Sequence, residues 1–210
     1  MQSKNVNINI KTFDNWAISR KDIKMEKGHK EPVNEIFNII STKTSILNKK
    51  FSFLDLGCGN GWTVRKISQN DNCKKAVGID GSANMIKLSK SYNVGDFYQK
   101  KIEDIIFNQK FDVIFSMETF YYLNNIRNIF HNINKNGINK NGIFIIGIDH
   151  YKENIPTLDW DTKYNLSINT QTINQWIKYF KNSGFINVNH LIYGANKDWN
   201  GTLIIYGIKN

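Results

Sequence analysis

The residues best spaced for chemistry stand together in Asp55-Leu-Gly-Cys-Gly-Asn-Gly61, where an acid precedes three glycines set two apart. Glycines in that spacing let the backbone turn sharply and approach a ligand closely. The free N–H groups at the start of a following helix then point at the same ligand. Such a loop suits a nucleotide-type molecule, and its details separate the options. A dinucleotide fingerprint, G-x-G-x-x-G, puts its third glycine at position 62 and an apolar residue before the turn. Here position 62 is Trp, the third glycine is Gly61, and Asp55 stands at the strand end. A Walker loop needs Gly-Lys-Ser/Thr after a longer gap, and none follows.

Further along, Lys75-Ala-Val-Gly-Ile-Asp80 is a short apolar run that ends in a second acid. An acid about 20 residues past the glycines is where Rossmann-like folds hold a ribose, because one carboxylate can accept hydrogen bonds from two neighbouring hydroxyls. The unit D-x-G-x-G-x-G followed by this acid resembles motif I of class I S-adenosylmethionine (AdoMet)-dependent methyltransferases. Ser116-Met-Glu-Thr-Phe-Tyr-Tyr-Leu123 in turn resembles the motif after the fourth strand of small-molecule and quinone-biosynthesis-type methyltransferases, the type 11/25-like group.

The resemblance implies that Gly57, Cys58, Gly59 and Gly61 carry the methionine part of AdoMet, with Asp55 orienting its amino group directly or through water. It implies that Asp80 and Gly81 hold the ribose, that Met85 lies beside the adenine, and that Ile102, Glu103 and Met117 surround the base. Ser116 and Trp16 complete the expected cofactor-binding set. Relatives carry an acid at the position of Lys101, where it meets the adenine amino group. Lysine cannot accept that hydrogen bond, so recognition passes to the backbone at Ile102 and Glu103, or to Asp96.

Methyl transfer from a sulfonium is a single displacement, and the protein mainly has to hold the nucleophile in line and exclude water. An oxygen or nitrogen nucleophile must also lose a proton. Candidates for base or orienting group are His29, Tyr121, Tyr122 and His150, of which His29 is favoured because it lies where a substrate must enter. Each of them alone reads more readily as a structural residue. Glu118, Asp149 and His150 all follow strand ends and are of metal-ligating type, but their spacing is not diagnostic and no metal is expected. Asn/Asp-Pro-Pro-Tyr/Phe, used by adenine-N6 and glutamine methylating enzymes, is absent, and neither cysteine is placed to be a cytosine-C5 nucleophile. The acidic polyamine-binding pattern of aminopropyl transferases is missing too.

These residues need a sheet to position them. Phe51 to Leu56, Lys75 to Asp80, Asp96 to Lys101, Phe111 to Ser116 and Ile143 to Ile148 read as strands, most of them apolar enough to be covered on both faces. Helices are expected from about Gly61 with Val64 and Ile67 inward, and after the cap Ser82 with Ala83, Met85 and Ile86 inward. Further helices are expected over 124–134 and from the capping box Thr172-x-x-Gln175 to a stop at Gly184. Gly137 and Gly142 bracket a turn, residues 149–166 form a loop or lid, and Phe185–Tyr193 with Thr202–Ile208 close the sheet as an antiparallel pair. On the N-terminal side Val6, Ile8 and Ile10 alternate as an edge strand or extended arm, 13–29 is an aromatic, basic cap, and a helix starts at Pro32 with Val33, Ile36, Phe37, Ile40, Thr44 and Leu47 recurring along it. The order matches the fold that the resemblance implies, an α/β, Rossmann-like seven-stranded methyltransferase sheet, mostly parallel with its last strand antiparallel. It has helices on both faces and an N-terminal helical cap, in one domain of 210 residues: cap and first helix over 1–48, core over 51–210.

Composition bounds the partners. With 28 basic and 18 acidic residues the net charge is +10, which attracts nucleic acid or reflects a Lys-, Asn- and Ile-rich composition without functional meaning. Two cysteines make no disulfide framework, and neither a membrane-length apolar stretch nor a signal-peptide core is visible, so a cytoplasmic protein is expected. The reading that follows is an AdoMet-dependent methyltransferase of a small molecule, with S-adenosylhomocysteine as product. Two alternatives stay open: an RNA-modifying methyltransferase, and a non-catalytic AdoMet-binding subunit of a partner enzyme.

Overall fold

The computed structural model describes residues 2–210, with side chains from Ile8 onward. Seven strands, β1 (Phe51–Leu56), β2 (Cys73–Asp80), β3 (Asp96–Gln99), β4 (Phe111–Met117), β5 (Ile138–Ile148), β6 (Phe185–Tyr193) and β7 (Thr202–Lys209), form one sheet in the order β3-β2-β1-β4-β5-β7-β6. Strands β1 to β5 pair in parallel, and β7 runs antiparallel between β5 and β6. Every residue of β1 is buried, as its apolar run and central place require. Alternation divides its side chains between the faces: Phe51 and Phe53 pack with Val64 and Phe115 on one, Leu54 and Leu56 with Phe120 and Phe144 on the other.

The intervening helices are α3 (Trp62–Ile67), α4 (Ala83–Lys90), α5 (Ile126–Asn132), α6 (Trp160–Tyr164) and α7 (Ile173–Asn182). Ser82 caps α4 through the Met85 amide, and the Thr172–Gln175 box opens α7. Helix α7 turns Trp176 and Phe180 onto the core, Phe180 meeting the rings of Phe130 and Phe144 with centroids 4.9 Å apart in both pairs. Ala83, expected inward, is exposed at the first helical position. The turn placed between Gly137 and Gly142 is instead part of β5, which starts five residues early and carries Asn141 in the left-handed region. Residues 149–166 are not a loose lid. Tyr151 donates to the carbonyls of Asn200 and Gly201, and Asn154 donates to that of Asp149.

The largest departures lie in the cap. The stretch expected as an edge strand or arm is part of α1 (Gln2–Ile18), in which Asn9, Phe13 and Ala17 share a face inward. Period-two alternation of isoleucines there decided nothing, because the buried position is an asparagine. The next helix begins not at Pro32 but ten residues earlier: α2 runs Asp22–Lys43 with Pro32 in its interior. An interior proline costs roughly 3 kcal/mol. Val33, Ile36 and Ile40, all fully buried on the sheet, offset it. Among the described residues no helix is long and apolar enough to cross a membrane.

Candidate functional site

Strand order reverses between β1 and β4, and an open α/β sheet leaves its ligand crevice at the carboxyl ends of such a pair. A partly enclosed cavity of about 1020 Å³, its mouth included, lies there. The glycine loop and Asp80 form one wall, Met117 to Thr119 and Tyr122 another, and the cap helices roof it through Asn9, Phe13, Asp22, Met25, Glu26 and His29. Helix α1 is fastened on both sides. Asn9 exchanges hydrogen bonds with the Ser167 backbone at 2.8 and 2.7 Å, and Asp14 accepts from the Ser82 hydroxyl and the Asn84 amide at 2.5 and 2.9 Å.

Two glycines of the loop are fixed by close neighbours. Gly57, at φ +83°, passes so close to Thr119 that a Cβ would run into its side chain. Gly61, at φ +78°, would collide with the Phe97 ring 2.5 Å away, so it serves helix packing and does not line the cavity. Beneath the loop Asp55 is buried, with one oxygen accepting from the Thr63 hydroxyl and Oδ1 without a hydrogen-bond partner. Burial, helped by the charge of Asp80 and opposed by the Thr63 hydrogen bond, raises its carboxyl to about 7. Asp80 accepts from the Gly59 amide at 2.9 Å and the Ser82 amide at 2.8 Å, one per oxygen, which leaves each oxygen a lone pair for the cavity. Its pKa is raised by burial against those amides.

Of the sequence-predicted cofactor set, Asp55, Gly57, Cys58, Gly59, Asp80, Gly81, Met85, Ile102, Glu103 and Met117 line this one cavity, together with Lys101. Three members do not. Ser116 donates its hydroxyl to the Leu56 carbonyl at 2.6 Å inside the sheet. Trp16 packs against Phe13 and Tyr164 under the Lys21 ammonium, 3.6 Å from its ring, and Gly61 lies behind the loop. Asp96, offered as an alternative adenine contact, is exposed at the start of β3, the far edge of a parallel sheet from the ligand.

The other end of the cavity holds the titratable groups. Tyr121 is fully buried and donates to Glu118 at 2.6 Å, while Tyr122 reaches the cavity and donates to Tyr121 at 3.1 Å. Glu118, with its backbone at φ +55°, also accepts from the Asp149 amide at 2.5 Å. His29 Nε2 stands 3.5 Å from Asp149 and 4.0 Å from Glu118. Burial alone would lower the His29 pKa, but the hydrogen bond to Asp149 and the Glu118 charge outweigh it and raise the imidazole to about 8. Burial and the neighbouring Asp149 raise Glu118 to about 8 as well. His150 is not part of this group: its ring nitrogens bond the Thr157 carbonyl and the Thr170 hydroxyl, and burial lowers its pKa. Of the residues of metal-ligating type weighed from the sequence, Glu118 and Asp149 do come together, but with His29 and not His150, the ligand atoms of these three lying within 4.8 Å of one another.

Sequence reasoning missed Asn9, Phe13, Asp22, Met25, Glu26, Asn60, Thr63, Thr119 and Leu123 as cavity residues. One signal was available. Asp22, Met25, Glu26 and His29 sit at i, i+3, i+4 and i+7 of one helix face, which continues as the apolar face Val33, Ile36 and Ile40.

Comparison with known proteins bears on this site. Residues 47–197 match the model of a family described as a methyltransferase domain. A malonyl-[acyl-carrier protein] O-methyltransferase of Bacillus anthracis is 35% identical over 98 residues, which cover 43% of this chain and 36% of that protein. Malonyl-[acyl-carrier protein] O-methyltransferase 1 of Ilyobacter polytropus is 26% identical over 213 residues, covering 95% of this chain and 71% of its own length. The chain spans about two fifths of the Bacillus and Priestia relatives it matches, between 36% and 42% of their lengths. Among solved structures, a Haloferax volcanii methyltransferase in complex with the Trm112 methyltransferase activator superposes with a TM-score of 0.75 at 20% identity, covering 93% of this chain and 96% of the other. The DhpI–SAH complex does so with a TM-score of 0.72 at 12% identity, covering 98% and 97%.

Proposed function

This chain belongs to the methyltransferase-domain family, and from that premise we propose that it takes AdoMet as cofactor and methylates a small-molecule acceptor by direct in-line displacement. The observation that carries this reading is the cavity's character: it is roofed by the cap helices and lined by the carboxyl groups of Asp22, Glu26, Asp55, Asp80, Glu103 and Glu118, against His29 and Lys101 as cations. Even with Asp55 and Glu118 partly protonated at neutral pH, acids outnumber cations on this surface, which suits a cationic cofactor better than a polyanion. The residues fit the cofactor on structural grounds: Asp55 keeps a buried oxygen without a donor, and Asp80 keeps lone pairs toward the cavity.

When bound, the cofactor supplies a methyl group already activated on a positively charged sulfur. The chain does the rest. The backbone from Gly57 to Gly59 and Asp55 hold the amino-acid part, Asp80 accepts from the ribose hydroxyls, and Met85, Ile102 and Leu123 wall the base. Met117, Phe13 and Tyr122 border the acceptor and keep water out. The His29–Asp149 pair, its facing atoms 3.5 Å apart, takes the proton of an acceptor hydroxyl, and the Asp149 carboxylate stabilises the imidazolium that results. Glu118, fixed by the Tyr121 hydroxyl and the Asp149 amide, orients that pair. A second reading, favoured by the Ilyobacter relative's length of match, is a carboxylate acceptor, which needs no base and is held by protonated His29 instead.

The test is a methyl-transfer assay with labelled AdoMet over phenols, aliphatic hydroxyls, malonyl thioesters on carrier protein and on a small thiol, and bulk RNA. Turnover of one small acceptor class and none of RNA is expected; labelled RNA with no small acceptor labelled would overturn the reading. His29→Asn should cut the rate on a hydroxyl acceptor about 10²- to 10⁴-fold while AdoMet still binds.

A further inference from the structure

The aromatic, basic stretch of the cap has no part in that scheme. Trp16 begins a band of half-buried rings that leads outward from the cavity rim. It meets Phe13, which lines the cavity, with centroids 5.1 Å apart, and Tyr164 at 5.9 Å. Tyr164 meets Trp160 at 6.1 Å, and Trp160 meets Trp199 at 6.4 Å. The contacts bring together the end of α1, helix α6 and the turn between β6 and β7. Next to these rings in the chain stand exposed aliphatic side chains: Ile18 (70% exposed) and Ile23 at the α1–α2 junction, and Ile155 (67%) and Leu158 just ahead of α6. Cations accompany them. Because α2 turns Asp22, Met25, Glu26 and His29 to the cavity, Lys24 and Lys27 are left exposed on its outer side. The Lys21 ammonium lies 3.6 Å from the Trp16 ring and 4.5 Å from that of Tyr164, and Lys163 lies 5.6 Å from Tyr164. Burial and then the charge of Lys24 lower the Lys21 pKa, so these two ammonium groups stand within each other's field. Among the described residues no ion pair engages Lys21, Lys24, Lys27 or Lys163. Asp159, Asp161 and Asp198 are the exposed acids of the α6 and turn segments, set against Lys163 and Lys197, so the excess positive charge is that of early α2.

We propose that this band is the surface by which the chain lies on an anionic lipid bilayer, with the rings at headgroup level, Ile18 and Ile155 at the acyl boundary and the α2 lysines on the lipid phosphates. Tryptophan and tyrosine suit that level because one edge of each ring is apolar and the other polar, and lysines beside them add attraction to anionic headgroups. A soluble polyanion fits less well. Nucleic-acid bases need free ring faces to stack on, whereas Lys21 already lies over Trp16, and Trp160 and Trp199 lie against each other at an interplanar angle of 19°. Exposed isoleucines also gain nothing from phosphates in water, but they leave water at a lipid surface. The band starts at Phe13, so a bilayer seated on it would adjoin the cavity mouth. Lipid binding is read with neither cofactor nor acceptor present, so it stands apart from the choice of acceptor.

Sedimentation of the full chain with vesicles tests this, using phosphatidylcholine alone and phosphatidylcholine mixed in equal parts with phosphatidylglycerol. At low salt the chain should partition onto the mixed vesicles at least about tenfold more strongly than onto the neutral ones. Salt at about 1 M, which shortens the screening length to about 3 Å, should remove most of that difference. Lys24→Glu combined with Lys27→Glu should cut partition onto mixed vesicles at least about tenfold, and Ile155→Asp about threefold or more. All three side chains are exposed, so the unfolding transitions of these variants should coincide with that of the unmodified chain. A second measurement needs no variant: tryptophan fluorescence of the unmodified chain should be quenched by mixed vesicles whose phosphatidylcholine is brominated along its acyl chains. No sedimentation with mixed vesicles, equal binding to neutral ones, or no quenching overturns the proposal. Binding lost in the lysine variant but unchanged in Ile155→Asp overturns it too, and would mark the surface as a site for a soluble polyanion such as RNA.

Discussion

At the scale of single residues, the proposed chemistry turns on a histidine held between two carboxyl groups. His29 has its pKa raised to about 8 because Asp149 and Glu118 outweigh the effect of burial, so at neutral pH most of it carries a proton. A base must be neutral to act. For a hydroxyl acceptor kcat/KM should therefore climb with pH and level off above about 8, whereas for a carboxylate acceptor, held by the imidazolium, it should fall through the same value. Glu118→Gln removes one of the raising charges, so the break should move to lower pH in either case. A pH–rate profile with no break near 8, or one that Glu118→Gln leaves in place, would remove His29 from the reaction. Tyr121 and Tyr122 illustrate how neighbours in sequence differ in surroundings: one is sealed under Glu118, to which it donates, and the other lines the cavity.

At the scale of elements, α2 is the part that joins function to fold. Its first half turns Asp22, Glu26 and His29 to the cavity and its second half packs Val33, Ile36 and Ile40 on the sheet, with Pro32 between. Gly28 sits in the same helix without need: a Cβ there meets nothing within 4 Å and its φ is ordinary. Gly28→Ala should stabilise the chain by about 0.5–1 kcal/mol in urea unfolding, by lowering the entropy of the unfolded chain, and leave AdoMet affinity unchanged. A loss of stability would mean that α2 is bent or mobile at this point. The start of α2 was hidden because proline is a common first-turn residue and the eleven residues from Asp22 to Pro32 show only polar and mixed periodicity. Strands β1, β4 and β5 were legible because each carries a mostly apolar stretch, which in a chain with no membrane-length stretch is kept from water on both sides by becoming a central strand.

At the scale of the whole molecule, three groups in one cavity share a sign. Asp55 is raised to about 7, and Glu118 and His29 to about 8. A group whose folded pKa lies above its unfolded value contributes stability that is complete below the unfolded pKa and is lost as pH rises through the folded one. For the two acids that window opens near pH 4 and for the histidine near 6.5, and it closes at 7 to 8. The melting temperature of the cofactor-free chain should thus decline from pH 5 to 8.5 more steeply than that of Glu118→Gln, the gap between them widening toward high pH. Comparing the two isolates the cavity from the titration of a chain with net charge +10. Parallel slopes would show that Glu118 ionises in the fold as freely as in the open chain. Taken by itself, the sequence determined most of the strands, the glycine turn after β1 and the carboxylate after β2, because apolar runs, glycine spacing and strand-end acids are local properties of the chain; the seven-stranded sheet followed from the resemblance to a known family. Only the tertiary structure decided that Ser116 spends its hydroxyl inside the sheet, that His150 faces away while His29 meets Asp149, and that Asp22 reaches the glycine loop through Asn60. Each of those depends on contacts between residues far apart in the chain or on the way an element is turned about its own axis, and a polar residue turned inward has the same local text as one turned outward.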